Sequence, residues 1–240
     1  MIADRFILRV VATAFLAVLP AEALGVIRVT IRPVTLATAG PADAAATLPT
    51  SQTQFVPGES FVVELWAQTT ETNGLSSVTV DLTFVNTVVT AQSLTHTALF
   101  NAAGLSTGTI NNPGGLVDDL GGSHDAASPP CSDQVGLTNW ARVAIVQMQA
   151  LANGTSIIQS ADTASALFGT AICNEFGNVV PADIDFGQVT VTVEECFDNT
   201  DCDDGQFCNG PEQCVANVCQ AGTPPGCVDG NVCTDDLCDP

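Results

Sequence analysis

Hydrophobic and polar residues alternate along short segments between residues 24 and 195, with the two-residue period of a half-buried β-strand. The regular segments are 27–32, 78–84 and 189–193, and two more continuously apolar ones are 61–66 and 141–146. Continuous apolarity is typical of central strands that are covered on both faces. The pattern predicts an all-β fold, an immunoglobulin-like or jelly-roll β-sandwich over residues 24–195, with its core at about 53–195.

Two segments of this region depart from the strand pattern. Residues 33–53 are rich in Ala, Thr and Pro, which predicts either a long surface loop or a linker. Residues 161–168 form the one stretch whose composition is compatible with a short helix. Neither segment changes the prediction of an all-β body.

The N-terminal residues have the pattern of a secretory leader. Arg5 and Arg9 precede an apolar run at 10–19, and Ala21-Glu22-Ala23 follows as a cleavage motif. The run is too short to span a bilayer, which needs roughly 20 apolar residues. We therefore predict a signal peptide over residues 1–23, with a buried N-terminal helix as the alternative, and no insertion into a membrane.

Residues 196–240 contain eight of the ten cysteines, which predicts a small disulfide-rich segment in an oxidising compartment, outside the cell or at its surface. The segment repeats internally, because 202–208 matches 227–233. The second unit lacks a counterpart of Cys219, so we expect either that this cysteine-rich repeat segment is incomplete or that the second unit pairs its cysteines differently. The cysteines are Cys196, Cys202, Cys208, Cys214, Cys219, Cys227, Cys233 and Cys238. Eight cysteines allow 105 pairings, and the sequence leaves these open.

The sandwich region contains only two cysteines, Cys131 and Cys173. In an oxidising compartment we expect them to form one disulfide across the sandwich, which would contribute about 4 kcal/mol by loop closure. The alternative is two free buried thiols.

The chain carries a formal net charge of −21, and its few cations are all arginines. The predicted cleavage removes two acidic and two basic residues and leaves this net charge unchanged. Such a surface repels phosphate backbones, which argues against a nucleic-acid partner, and attracts cations. The acidity also keeps a secreted protein soluble.

An acidic stretch opens the cysteine-rich segment and is a candidate Ca²⁺ site. Asp198, Asp201, Asp203 and Asp204 supply the hard oxygen ligands that Ca²⁺ prefers. The spacing does not fit the EF-hand loop, and Asp-Gly pairs also build turns between cystines. Calcium is the one cofactor that the sequence suggests.

Catalytic motifs are weak in this chain. Residues 104–108 fit G-x-S-x-G, and Ser106 is followed by Asp118 or Asp119 and then by His124, in the order of an α/β-hydrolase. That motif requires a strand-to-helix turn above a parallel sheet, and the chain shows no βαβ alternation. His96 and His124 have no zinc spacing, and no carboxylate pair stands out as a glycosidase centre. We therefore expect a non-enzymatic protein, with a Ser106 hydrolase as a minor alternative.

The β-region resembles a cohesin domain, the receptor module of cellulosome scaffoldins, and the related family 3 carbohydrate-binding sandwiches. The resemblance is carried by 56–59 (VPGE), by 74–84 continuing into 85–89, and by the closing stretches 178–181 and 187–191. It implies a β-sandwich that binds a dockerin, a protein that requires Ca²⁺. The aromatic-Asp-Pro corner of cohesins reads Phe84-Val85-Asn86 here, and the aromatic strip of crystalline-cellulose binders is missing.

Residues 229–240 (DGNVCTDDLCDP) are similar to the CTDC repeats of extracellular matrix proteins. That resemblance implies a structural spacer without catalytic residues. Together these features predict a secreted binding or scaffold module that recognises an extracellular protein, dockerin-like, or a glycan. The alternative is a carbohydrate-binding accessory module of a larger polysaccharide-degrading enzyme.

Overall fold

The computed structural model describes residues 26–102, 105–124, 135–164, 169–175, 177–206 and 209–224. The predicted signal peptide and most of the second cysteine-rich unit therefore lie outside the described residues. Within the described part of the chain, no helix is long and apolar enough to cross a membrane.

The described residues form β-strands joined by loops and short 3₁₀ turns. The strands are β1 (Val29–Leu36), β2 (Ala44–Ala45), β3 (Gln54–Phe55), β4 (Ser60–Thr69), β5 (Leu75–Thr83), β6 (Val89–His96), β7 (Thr107–Asn111), β8 (Leu116–Ser123), β9 (Trp140–Ala150), β10 (Gly154–Ala161), β11 (Ala171–Ile172), β12 (Ile184–Phe186), β13 (Gln188–Val193), β14 (Gln213–Val215) and β15 (Val218–Gln220). The 3₁₀ turns are Ala98–Phe100, Asn112–Gly114, Pro181–Asp183 and Asn199–Cys202. The prediction of an all-β fold is confirmed.

Two sheets pack face to face to make the sandwich. Sheet 1 has the order β12-β1-β4-β9-β2, with β6 also paired to β9, and sheet 2 has the order β3-β13-β10-β5-β8-β7, with β11 paired to β5. The pairs β1–β12 and β3–β13 are parallel, and the other ladders are antiparallel. Because β4 and β5 are consecutive but lie in different sheets, the chain crosses repeatedly between the layers.

The core lies between the inward faces of the two sheets. Phe61 and Leu65 of β4 and Val80 and Leu82 of β5 are fully buried, and Phe55 stacks on Phe61 with ring centroids 4.2 Å apart. Each such side chain contributes roughly 1.5–3 kcal/mol by burial. Strand β4 and the Ala141–Ala144 part of β9 are buried on both faces, as their continuous apolarity predicted, whereas Gln147 further along β9 is exposed.

The segments that departed from the strand pattern have a defined place. Residues 33–36 complete β1, and residues 37–53 run back across the outer face of sheet 1, so this stretch is a surface loop and not a linker. Ala161 ends β10, and residues 162–164 are not helical, so the short helix expected at 161–168 is wrong for these residues. Residues 165–168 lie outside the described part.

A side chain blocks the outer edge of strand β6. Asn112 donates from Nδ2 to the carbonyl oxygen of Ala91 at 2.8 Å, and the Ala91 amide donates to Asn112 Oδ1 at 2.9 Å. Nearby, His96 Nε2 lies 2.7 Å from the carbonyl oxygen of Thr107 on β7, which joins the two sheets at this side. The amide group of Asn112 thus takes the place that a further strand would occupy.

The beginning of the cysteine-rich segment is a small body stapled by two disulfides. Cys196 bonds to Cys214, and Cys202 bonds to Cys219, with sequence separations of 18 and 17. These bonds fasten the 3₁₀ turn Asn199–Cys202 to the hairpin β14–β15. Loop closure of this length contributes about 3 kcal/mol for each bond. This segment therefore depends on cross-links where the sandwich depends on apolar burial.

The remaining cysteines divide between described and undescribed parts of the chain. Cys173 is disulfide-bonded and fully buried. Cys131, Cys208, Cys227, Cys233 and Cys238 lie outside the described residues. The pairing of Cys131 with Cys173 stays a prediction, as does the internal repeat of the tail.

Candidate binding face

Part of the outer face of sheet 1 is covered by residues 37–53, which we call the strap. Its two-residue strand β2 pairs with Ala141 and Trp140 of β9. The end of the strap is tied back to β1, because Gln52 N donates to Thr35 O at 2.7 Å. The strap therefore buries the part of this face formed by β4 and the start of β9, while Gln147 further along β9 stays exposed.

Three side chains that would otherwise be solvent-exposed lie under the strap. Glu64 and Trp66 on β4 and Arg142 on β9 are 0%, 2% and 5% exposed. The Arg142 guanidinium contacts the Glu64 carboxylate and lies 5.7 Å from the centre of the Trp66 ring, and Trp66 Nε1 donates to Glu64 Oε2 at 2.9 Å. A buried charge pair of this kind is tolerable only when its polar atoms are satisfied.

The strap supplies the remaining partners of this buried pair. The Gly40 amide donates to Glu64 Oε1 at 2.7 Å, and Arg142 Nη1 donates to the Gly40 carbonyl at 2.8 Å. Asp43 accepts from Arg142 Nη2 at 2.7 Å. Glu64 thus accepts from Arg142, Trp66 and Gly40, and both members of the Glu64–Arg142 pair are buried.

The outer face of sheet 2 is, by contrast, exposed. Along β10, exposed Thr155, Ile157 and Gln159 alternate with buried residues, and Ile157 is 46% exposed. Register with the neighbouring strands places Thr192 opposite Thr155, and Thr190 opposite Ile157. We call this surface the open face. Its members are Thr190 and Thr192 on β13, Thr155, Ile157 and Gln159 on β10, Asp81 and Thr83 on β5, Leu116 and Asp118 on β8, and Thr109 on β7.

One end of the open face carries a cluster of three carboxylates. Oxygen atoms of Asp81, Asp118 and Asp119 all lie within 4.8 Å of one another. The cluster forms where the β5–β8 ladder shifts register, and Asp119 takes a left-handed conformation with φ of 52°. The Asp119 amide donates to Asp81 Oδ1 at 3.1 Å, and the Thr163 hydroxyl donates to Asp119 Oδ1. The bulge thus turns consecutive carboxylates of β8 toward Asp81.

The environment of this cluster disfavours the ionised form of Asp81. Partial burial raises the pKa of Asp81, and the nearby charges of Asp118 and Asp119 raise it further, while the hydrogen bond from the Asp119 amide opposes this effect. Like charges that lie this close store repulsive free energy, which an approaching cation would relieve.

None of the arginines that the structure describes is available to this cluster. Arg28 pairs with Glu71 and Glu175, and Arg32 pairs with Asp185. Arg142 is buried under the strap with Glu64 and Asp43. The open face therefore has carboxylates but no cation from the chain's own described residues.

The four predicted calcium ligands lie in one exposed loop, where local hydrogen bonds use them. Asp198 caps the 3₁₀ turn by accepting from Thr200 N at 2.8 Å, and Asp201 accepts from Phe197 N at 2.7 Å. Hydrogen bonds from the hydroxyl and amide of Thr200 lower the pKa of Asp198.

The other two aspartates also form local turns. Asp203 accepts from Gly205 N at 2.9 Å, and Asp204 accepts from Gln206 N at 2.8 Å. Within the described residues, the groups of three or more close metal-ligand atoms are the open-face aspartates and the sulfur atoms of Cys196, Cys202 and Cys219. Calcium binding by Asp198, Asp201, Asp203 and Asp204 stays a prediction.

The residues of the hydrolase motif do not form a nucleophile elbow. Ser106 precedes strand β7 and no helix follows it, while Gly104 lies outside the described residues. The Ser106 hydroxyl donates to Asn101 Oδ1 at 2.8 Å, and His124 Nδ1 lies 2.8 Å from the carbonyl oxygen of Leu99. This geometry gives no support to the Ser106 alternative.

No protein-family model matches the chain, and no curated protein matches it. Solved structures that are similar to it include cohesin domains. The third ScaC cohesin of Acetivibrio cellulolyticus, in complex with the ScaB dockerin, is 12% identical with a TM-score of 0.44, over 68% of this chain and 99% of that one. The seventh ScaB type I cohesin of Pseudobacteroides cellulosolvens is 11% identical, with a TM-score of 0.43, over 69% and 92%. The OlpA cohesin of Clostridium thermocellum, in a type I cohesin–dockerin complex, is 12% identical with a TM-score of 0.45, over 68% and 99%.

Proposed function

We propose that this chain is a secreted, non-enzymatic module that binds an extracellular protein on its open face, and that its cystine-stapled segment serves as a spacer. The observation that carries the proposal is the difference between the two outer faces of the sandwich. The strap covers the Glu64–Arg142 pair on one face, whereas the other face exposes Ile157 in the middle of a strand.

The composition of the open face favours a protein over a polysaccharide. Its described members are mainly threonines, with Ile157, Leu116 and carboxylates, and none of them is aromatic. Trp66 is buried under the strap and Trp140 pairs with it, so neither tryptophan offers a stacking platform on the open face. Rigid β-scaffolds with an exposed mixed polar and apolar surface are suited to protein recognition.

The sequence resemblance supports the same class of function. Cohesins bind dockerins, so a dockerin-like protein is one candidate partner, and such a partner would require Ca²⁺. The predicted leader and the disulfides of the tail fit secretion. A carbohydrate-binding accessory module is the alternative that the following experiment tests.

The test compares two arginine substitutions at equally exposed apolar positions. Ile157 on the open face and Leu151 in the β9–β10 turn are 46% and 44% exposed, so Leu151→Arg is a matched control for Ile157→Arg. The secreted chain and both variants would be immobilised and incubated with the source organism's secretome and with insoluble polysaccharides, with and without EDTA. We expect one protein to be captured by the wild type and by Leu151→Arg but not by Ile157→Arg.

The outcomes separate the candidates. Loss of the captured protein in EDTA supports a dockerin-type partner. Equal capture by all three proteins would contradict the assignment of the open face. Retention on polysaccharide that is independent of EDTA and of captured protein would favour the carbohydrate-binding alternative.

A further inference from the structure

We propose that the partner presents a basic segment to the open face, and that the carboxylates of Asp81, Asp118 and Asp119 receive a lysine or arginine side chain from it. This inference rests on the proposed function and adds the chemistry of the partner. The occupant is a polypeptide surface with exposed ammonium or guanidinium groups. Charge complementarity across the whole open face supports this occupant.

The open face has one sign of charge and no internal counter-ion. Its charged members are carboxylates, and each described arginine is engaged elsewhere, with N···O distances of 2.7 Å or less to its nearest carboxylate. The chain contains no lysine. A complementary partner must therefore bring the cation, because the other members of the face are hydroxyl, amide or apolar groups.

The geometry places the carboxylates where an incoming side chain would meet them. Asp118 is exposed and lies opposite Thr109 in the β7–β8 ladder, while Asp81 and Asp119 are half-buried beside it. Internal hydrogen bonds use Asp81 Oδ1 and Asp119 Oδ1, but a carboxylate has about four acceptor sites. The cluster therefore keeps acceptor capacity for the several N–H donors of an ammonium or guanidinium.

Apolar and hydroxyl groups border the carboxylates on the same face. Thr83 lies next to Asp81 on β5 and pairs with Leu116 on β8 and with Gln159 on β10. Ile157 lies two residues before Gln159, on the same side of β10. A basic side chain with a long aliphatic stem fits this arrangement, because the stem packs on apolar groups and the charged end reaches the carboxylates.

A second copy of the chain is a poor occupant of the open face. Each copy carries a formal net charge of −21, so two open faces would bring like charges together. A basic partner instead gains from the field of the whole molecule as well as from the local carboxylates.

The experiment uses peptide probes and two charge-matched double variants of the secreted chain. A fluorescent peptide that alternates Lys and Ser is compared with one that alternates Glu and Ser, by fluorescence anisotropy at about 50 mM and about 200 mM NaCl. The face variant is Asp81→Asn with Asp118→Asn. The control variant is Glu194→Gln with Glu195→Gln, which removes the same charge just beyond β13. Thermal unfolding establishes that all three proteins are folded.

We expect the wild type to bind the lysine peptide and not the glutamate peptide. The face variant should lose about tenfold in affinity for the lysine peptide and the control variant about twofold or less, with the difference shrinking at the higher salt concentration. Equal losses in both variants would overturn the inference, because general acidity would then explain the binding. Calorimetric binding of Ca²⁺ that disappears in the face variant, without peptide discrimination, would also overturn it.

The natural partner separates this inference from the proposed function. If Ile157→Arg abolishes binding of the natural partner but the face variant does not, the proposed binding function stands and the proposal of a basic segment is overturned. If neither variant changes binding of the natural partner, both proposals are overturned. A partner lost with both, and kept by the control variant, supports both.

Discussion

The two outer faces of the sandwich differ in whether their charged side chains are covered by the chain itself. Sheet 1 places Glu64, Trp66 and Arg142 on its outer side and covers them with the strap. Sheet 2 leaves its outer side uncovered with threonines, Ile157 and carboxylates. In sheet 1 the charges of Glu64 and Arg142 are neutralised inside the molecule, whereas the carboxylates of sheet 2 have no described arginine beside them, and we have proposed that a partner binds there. Stability should therefore depend on the first face, and binding on the second.

The largest effect should come from opening the buried pair. Glu64→Ala removes the acceptor of Arg142, Trp66 and Gly40 and leaves a buried guanidinium with Asp43 as its remaining carboxylate. We expect a loss of about 3–5 kcal/mol in the free energy of unfolding, measured by urea denaturation with tryptophan fluorescence. Exposed Glu195→Ala is the control and should cost almost nothing; a loss below about 1 kcal/mol in Glu64→Ala would mean that the pair is not desolvated.

A smaller effect should follow from loosening the strap itself. Asp43→Ala removes the ion pair to Arg142 but leaves the Gly40 contacts in place. Because the Asp43 side chain is 31% exposed, we expect a loss of about 1–2 kcal/mol. Hydrogen exchange should accelerate at strap amides such as Gly40 while β5 and β10 keep their protection. Unchanged exchange in the strap would contradict its dependence on this contact.

On the open face, removing one charge should stabilise the fold slightly at neutral pH. Since its surroundings raise the pKa of Asp81, the folded state binds a proton more tightly than the unfolded state, and stability falls as the pH rises above the ordinary aspartate value. Asp81→Asn should therefore raise the free energy of unfolding at pH 7 by less than about 1 kcal/mol, which thermal unfolding would detect as a higher melting temperature. This gain should vanish near pH 3. A gain that is the same at both pH values would point to a cause other than ionisation.

The smallest effect on stability is expected at the proposed binding position. Ile157→Ala should change the free energy of unfolding by no more than about 0.5 kcal/mol, because the side chain is already exposed. The next residue, Ile158, is fully buried, and Ile158→Ala should cost about 2–5 kcal/mol. Paired chemical denaturation curves would check this contrast. Similar losses at both positions would show that Ile157 is packed against the molecule.

Much of the sandwich could be predicted because strand periodicity is a local property. Alternation at 78–84 and 189–193 identified β5 and β13, and the apolar run at 61–66 predicted that β4 is covered on both sides. The cover itself could not be predicted. The strap has no strand or helix period and only one large apolar residue, Leu48, and its position depends on Arg142, which lies about a hundred residues further along the chain.

The carboxylate cluster shows the same limit for the candidate site. Alternation along β5 places Asp81 on the polar side, but its meeting with Asp118 and Asp119 depends on a register shift between strands that are distant in sequence. The dense acidic run at 198–204 was the stronger sequence signal, yet in the structure these carboxylates build turns. Local density of acidic residues and three-dimensional convergence of carboxylates are different properties.

The Asn112 side chain at the edge of β6 affects whether copies of this molecule can associate through their strand edges. By occupying the backbone groups of Ala91, it denies them to the strand of a neighbour. Unpaired strand edges are the sites at which copies of a β-protein can pair with one another and begin to aggregate. The Asn112 amide therefore works against edge-to-edge association of copies at this position of β6.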